Sequence, residues 1–314
     1  MLSFLPVVII FPLAFCAFVL NLTLWGFIVT SCGVLKLLPF AFTRRIASHV
    51  AHRAYRQWSV GNKAIMLLFN DVQFQVSPLP ELSEQRWYLL IANHQSWLDI
   101  PVLTQFALNR VPEPKFFLKE ELKWVPFIGS ASWALDMPFM RRYSAQQIAR
   151  NPALKGQDIE TTRRSCEKFR DVPTTIINFV EGTRFTREKH QQKQSPFQHL
   201  LPPKAGGIAF TLASMGSQFD AVMDVTVVYP DNPRFVALAM LCGRLKRVMI
   251  NVELLPVDQH IIGEYFTDEA FRQQFQLWLN QRWQHKDQLI QHMLLQAQPQ
   301  VPVRTWLDRH FSGS

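Results

Sequence analysis

His94 and Asp99 stand five positions apart in Asn93-His94-Gln95-Ser96-Trp97-Leu98-Asp99, and of the chain's nine histidines only His94 has an aspartate at that offset. A neutral imidazole, with an ordinary pKa of about 6.5, can take a proton from an alcohol. A carboxylate on its other nitrogen fixes the tautomer and stabilises the imidazolium that forms. No G-x-S-x-G element accompanies the histidine, so the expected proton donor is a hydroxyl of the substrate. On a regular helix this spacing would rotate the two side chains apart, so a working pair requires a bend between them. A strand over Trp87 to Ala92 turning into a helix supplies that bend, and Pro101 suits the first helical turn, with Asp99 at or near the N-cap. The plainer alternative is that Asp99 only caps the helix and His94 is a buried polar residue; the pair alone does not decide between them.

Three further segments could supply charge for an anionic ligand. The apolar run Thr174 to Val180 ends in Glu181-Gly182-Thr183-Arg184, which puts a carboxylate, a flexible turn residue, a hydroxyl and a guanidinium at the C-terminal edge of a strand. Ligands of open α/β sheets bind at that edge, and the planar fork of arginine suits phosphate oxygens. Phe139-Met140-Arg141-Arg142 is a second apolar run ending in cations. Leu201-Pro202-Pro203-Lys204-Ala205-Gly206-Gly207 holds a lysine in a constrained loop before a helix. For Arg142 and Lys204 the alternative is ordinary solvated charge; for Glu181 and Arg184 it is an ion pair that stiffens the loop.

The elements that must position these residues follow from hydrophobic periodicity. Strands are expected at Val72 to Val76, Trp87 to Ala92, Lys115 to Leu118, Leu135 to Met140, Thr174 to Val180, Met223 to Tyr229, Phe235 to Leu241 and Val248 to Leu254. Helices are expected at Ile100 to Leu108, Ile159 to Phe169 and Ile208 to Met215. Their alternation predicts an α/β fold with a mostly parallel central sheet flanked by helices, and an N-terminal membrane-anchoring helix region. Arg141 to Asp158 and Arg187 to Pro203 read as loops around a site. Asp268 to Ala297 reads as one or two amphipathic helices packed on the body.

Residues 1–35 contain no Asp, Glu, Lys, Arg or His, and a bilayer-spanning helix needs about 20 apolar residues. The missing basic n-region and the length of the run disfavour a cleaved signal peptide, so a retained anchor is expected, either a span or a span with an interfacial lead-in. Lys36, Arg44, Arg45, Arg53, Arg56 and Lys63 follow before any acidic residue, which places this flank and the catalytic domain on the cytoplasmic side of the membrane. In a bacterium that would be the inner membrane. The net charge of +9 suits a membrane surface or a phosphorylated substrate, and tethering argues against nucleic acid as a partner. The four cysteines have no C-x-x-C spacing, so no disulfide framework or metal site is expected.

Taken in order, these blocks resemble the membrane glycerolipid acyltransferases of the 1-acyl-glycerol-3-phosphate acyltransferase family over residues 60–255. Asn93 to Asp99 matches the family's H-x4-D block and Phe179-Val180-Glu181-Gly182-Thr183-Arg184 its E-G-T-R block. Phe139 to Arg142 resembles the block ending in a substrate-binding arginine, here Arg142. Lys119-Glu120-Glu121-Leu122 with Pro126 and Gly129 resembles the intervening segment. Asp224 to Pro230 resembles the last block, although proline more usually lies inside that apolar run. The resemblance implies an acyltransferase domain over 71–256, preceded by an anchor (1–35) and a basic amphipathic helical region (36–70), and followed by a C-terminal amphipathic region (257–314). It implies acyl transfer from acyl-CoA or acyl carrier protein to the sn-2 hydroxyl of lysophosphatidic acid, with membrane lipids as partners and no cofactor beyond the acyl donor as co-substrate. His94 would be the general base and Asp99 its orienting partner. Glu181, Gly182, Thr183, Arg184, Arg142 and Lys204 would hold the glycerol phosphate. Glycerol 3-phosphate or another lysophospholipid as acceptor, and a non-catalytic lipid-binding protein, are the competing readings.

Overall fold

This computed structural model describes residues 2–116, 118–125, 128–140, 169, 171–232 and 234–298. Two long helices open the chain, α1 (Val7–Lys36) and α2 (Ala41–Phe69). They lie antiparallel, since Leu2 N donates to Leu68 O near one end and Asn21 Nδ2 donates to Asn62 Oδ1 at 2.9 Å in the middle. α1 is the one helix among the described residues that is long and apolar enough to cross a membrane. Ile10 packs with Phe69 and Leu241, while Val29 and Cys32 pack with Ala134 and Leu135, so both halves of α1 touch the body. The opposite side, including Val8, Leu20 and Phe27, is exposed. α2 buries Ala47, Ala51, Ala54, Tyr55, Asn62 and Met66 at helical spacing and turns its cations outward.

The body is built on a six-stranded sheet with spatial order β1 (Gln73–Val76), β8 (Arg247–Pro256), β7 (Ala221–Val228), β2 (Tyr88–Ala92), β6 (Thr175–Phe179) and β3 (Pro114–Phe116). Among the described residues only the β7–β8 pairing is antiparallel. Alternation along β2 explains why both faces are covered. Tyr88, Leu90 and Ala92 point to a core shared with Leu98, Leu103 and Phe106 of α3 (Asp99–Ala107) and the turn before it. Leu89 and Ile91 point to a core built with α6 (Ala205–Met215) and α8 (Glu269–Ala297). The expected mostly parallel sheet flanked by helices is therefore present.

Four local expectations are corrected. Phe235 to Leu241 is not a strand but contains the short helix α7 (Val236–Leu241): Ala, Leu and Met favour helix, and a run this short has no decisive period. Lys115 to Leu118 is split between β3 and β4 (Leu118–Lys119). Leu135 to Met140 is a turn after α4 (Ile128–Ala134), followed by the two-residue β5 (Phe139–Met140), which pairs with β4. The loop expected over 187–203 begins with helix α5 (Arg187–Gln192), capped by Thr186, whose hydroxyl accepts from Lys189 N. The helix expected at Ile159 to Phe169, apart from Phe169, and the loop at Arg141 to Asp158 lie outside the described residues.

Candidate active site

The site forms where β2 and β6 end side by side. Ala92 is in register with Phe179, and Val180 N continues the ladder by donating to Ala92 O. On the other flank the side chain of Asn93 extends the β2–β7 ladder. Its Nδ2 donates to Val227 O and its Oδ1 accepts from Val227 N, both at 2.9 Å. His94 is thus launched from a strand end fixed on both sides.

The residues after β6 then hold the backbone of His94. Its N–H donates to Glu181 Oε1 at 2.8 Å, and its carbonyl accepts from Phe185 N at 2.7 Å. The imidazole lies flat on the Phe179 ring, with centroids 4.0 Å apart. Nδ1–H donates to Asp99 Oδ2 at 2.8 Å, which leaves Nε2 as the nitrogen able to accept a proton. Asp99 is fully buried, and the same Oδ2 accepts from Gln95 N and Ser96 N. The carboxylate therefore caps the turn that precedes its helix while also holding Nδ1 of the histidine.

Glu181 is placed differently from a ligand contact. It is fully buried, and its second oxygen accepts from Leu201 N at 2.9 Å, so both oxygens are committed to backbone amides. Burial pushes its pKa up to about 8, although the two amides oppose that shift. It does not pair with Arg184, whose guanidinium instead stacks on Trp97, 4.3 Å from the ring centroid. Gly182 turns with φ +65° and a side chain there would meet Lys204, whose aliphatic stem passes 3.0 Å from the Cβ position. Thr183 Oγ1 accepts from Lys189 Nζ at 2.7 Å, and the same ammonium donates to Arg184 O. His94, Asp99, Glu181, Gly182, Thr183, Arg184 and Lys204 are thus gathered at one sheet edge; Arg142 lies outside the described residues.

Residues 73–230 match the pattern that defines the Acyltransferase family. The chain belongs to that family. Among its relatives are the 1-acyl-sn-glycerol-3-phosphate acyltransferase epsilon of Mus musculus, 23% identical over 81% of this chain and 71% of the relative, and the delta enzyme of Homo sapiens, 29% identical over 63% of this chain and 51% of the relative. The chain thus spans about half the length of the delta relative. In fold it is similar to the 1-acyl-sn-glycerophosphate acyltransferase PlsC of Thermotoga maritima, with TM-score 0.53 at 19% identity, covering 93% of this chain and 99% of the other.

In this acyltransferase several site residues are not recoverable from local sequence. Tyr229 donates its hydroxyl to Asp99 Oδ1 at 2.7 Å from 130 positions away. Lys189 had a weak local signal, since the Thr186 cap sets the start of the helix that carries it. The loop reaching Glu181 is itself held from α8: Asp287 accepts from Gln198 N and His199 N, and Trp283 Nε1 donates to Leu201 O.

Proposed function

We propose that this acyltransferase moves an acyl chain from acyl-CoA or acyl carrier protein to the sn-2 hydroxyl of 1-acyl-sn-glycerol 3-phosphate, giving phosphatidic acid. The supporting observation is the oriented pair, with Nδ1 of His94 bound to buried Asp99 and Nε2 left to act. Nε2 takes the hydroxyl proton as the oxygen attacks the thioester carbonyl. When the tetrahedral intermediate collapses, the C–S bond breaks and the imidazolium proton goes to the departing sulfur. Arg184, stacked on Trp97, and Lys204, alongside Gly182, supply positive charge for the glycerol phosphate, and Arg142 is assigned to the same task. Gly182 lets the turn approach that ligand, and Thr183 adds a hydroxyl. Glu181 acts one step back, by fixing the His94 and Leu201 amides.

The acceptor and the product both carry acyl chains, and each methylene drawn into water costs about 0.8 kcal/mol, so the chemistry belongs at a lipid surface. α1 supports an in-plane attachment, with one side packed on the body at both ends and the other apolar and exposed. The cations of α2 favour the cytoplasmic leaflet, which in a bacterium is that of the inner membrane. The test is an assay of membranes containing the protein with labelled acyl donors against glycerol 3-phosphate, lysophosphatidic acid and other lysophospholipids, comparing wild type with His94→Ala. Transfer to lysophosphatidic acid that is lost in the variant is expected; equal product from both would overturn the assignment.

A further inference from the structure

Tyr229 follows the last residue of β7 and is 1% exposed, inside the apolar core shared with α3. Phenylalanine would fill that space equally well, so packing does not account for the hydroxyl. A buried hydroxyl requires a partner, and this one donates to Asp99 Oδ1 at 2.7 Å. The three other donors to this carboxylate, His94 Nδ1, Gln95 N and Ser96 N, all converge on Oδ2. Tyr229 is therefore the group that fixes the far oxygen and, with it, the plane of the carboxylate.

Resting on the His94 general-base reading, we infer that Tyr229 is a positioning residue that sets the basicity of His94 through Asp99. The phenol draws part of the carboxylate's negative charge toward Oδ1, away from the imidazole. With it in place Asp99 orients His94 without over-stabilising the imidazolium. Glu181 lies close enough to feel the charge of Asp99, Lys286 lies close enough to Glu181 to oppose its shift, and Arg184 sits on Trp97 of the same turn. Tyr229 stays protonated because burial, reinforced by the neighbouring carboxylate, holds its pKa above the usual value.

Removing the phenol should return charge to Oδ2, raise the pKa of His94 and move the acid limb of kcat/KM to higher pH. In Tyr229→Phe that limb is expected to rise by about 0.5 to 1 pH unit, with KM for the lysolipid unchanged because the ring is sealed in the core. Site-specific 3-fluorotyrosine at 229, a stronger donor in an almost identical shape, should move the limb the other way and serves if the phenylalanine variant folds poorly. In an Asp99→Asn background the Tyr229→Phe effect should vanish. An acid limb that stays fixed in both substitutions, a change confined to KM, or an undiminished effect without Asp99 would each overturn the inference. If His94→Ala retains full activity the general-base reading falls and takes this inference with it. If His94→Ala is inactive and the limb does not move, only the role of Tyr229 is lost.

Discussion

Two clusters of charged residues flank β7 on its opposite faces, and they are neutralised in different ways. Toward α3, Asp99 is surrounded by two backbone amides, a phenol and an imidazole. Toward α8, Asp224 meets Lys286 Nζ at 2.5 Å and Arg282 at 3.0 Å, while Glu253 meets Arg282 at 2.6 Å and His285 at 3.0 Å. An anion held by neutral donors keeps its charge to stabilise a proton arriving on a neighbour. One paired directly with ammonium and guanidinium groups has that charge cancelled, and it then serves to join elements.

The largest test of this contrast is Asp99→Asn. Turnover should fall by roughly 10³ to 10⁴-fold, as expected when an orienting carboxylate is replaced by a side chain that favours the wrong tautomer. Melting temperature should change little by comparison; steady-state kinetics beside thermal denaturation would show it, and a loss under about tenfold would break the contrast. Next, Lys286→Met should destabilise the fold by about 3 to 5 kcal/mol in chemical denaturation, because it removes the buried partner of Asp224. Activity per folded molecule should stay within about twofold. A variant that keeps its stability but loses turnover would reverse the assignment of the two clusters.

Glu181 gives an effect with a definite sign. Its folded-state pKa, about 8, lies above the ordinary value of 4.5, so the folded protein holds this proton more tightly than the unfolded chain. The contribution is full below pH 4.5 and is lost as pH rises through about 8. Glu181→Gln should therefore flatten the decline of unfolding free energy between about pH 5 and 9 by up to about 5 kcal/mol, measured by denaturation at a series of pH values. The smallest effect belongs to Lys189, a cation that contacts two neutral oxygens. Lys189→Met should raise KM for the lysolipid by about 3 to 5-fold with kcat nearly unchanged, since it slackens Thr183 and Arg184 but leaves His94 alone.

Much of this architecture was legible because its signals are local. β2, β6, β7 and β8 are apolar runs ended by polar or turn residues, and α1, α2 and α8 carry unmistakable length or pattern. His94 with Asp99, and Gly182 with its positive φ, also show themselves within a few residues. What stayed hidden depends on partners distant in the chain. An acidic residue in a turn gives no sign that it will be buried, and nothing local marks Glu181 as the acceptor of the His94 and Leu201 amides. Tyr229 closed an apolar run like any aromatic core residue, and only the return of β7 beside β2 brings it to Asp99. The helix at Val236–Leu241 is illegible for a different reason, since six apolar residues satisfy either period.

The brace from α8 has a consequence for the order in which the enzyme is made. Every motif residue has left the ribosome by the time Pro230 emerges, yet the loop that meets Glu181 is secured by Trp283 and Asp287, more than fifty positions later. A nascent chain arrested between these points would carry a complete reactive inventory with one side of its scaffold still unfastened. Docking of α8 is therefore what completes the support of the Glu181 loop, and it does so from outside the stretch that carries the motifs.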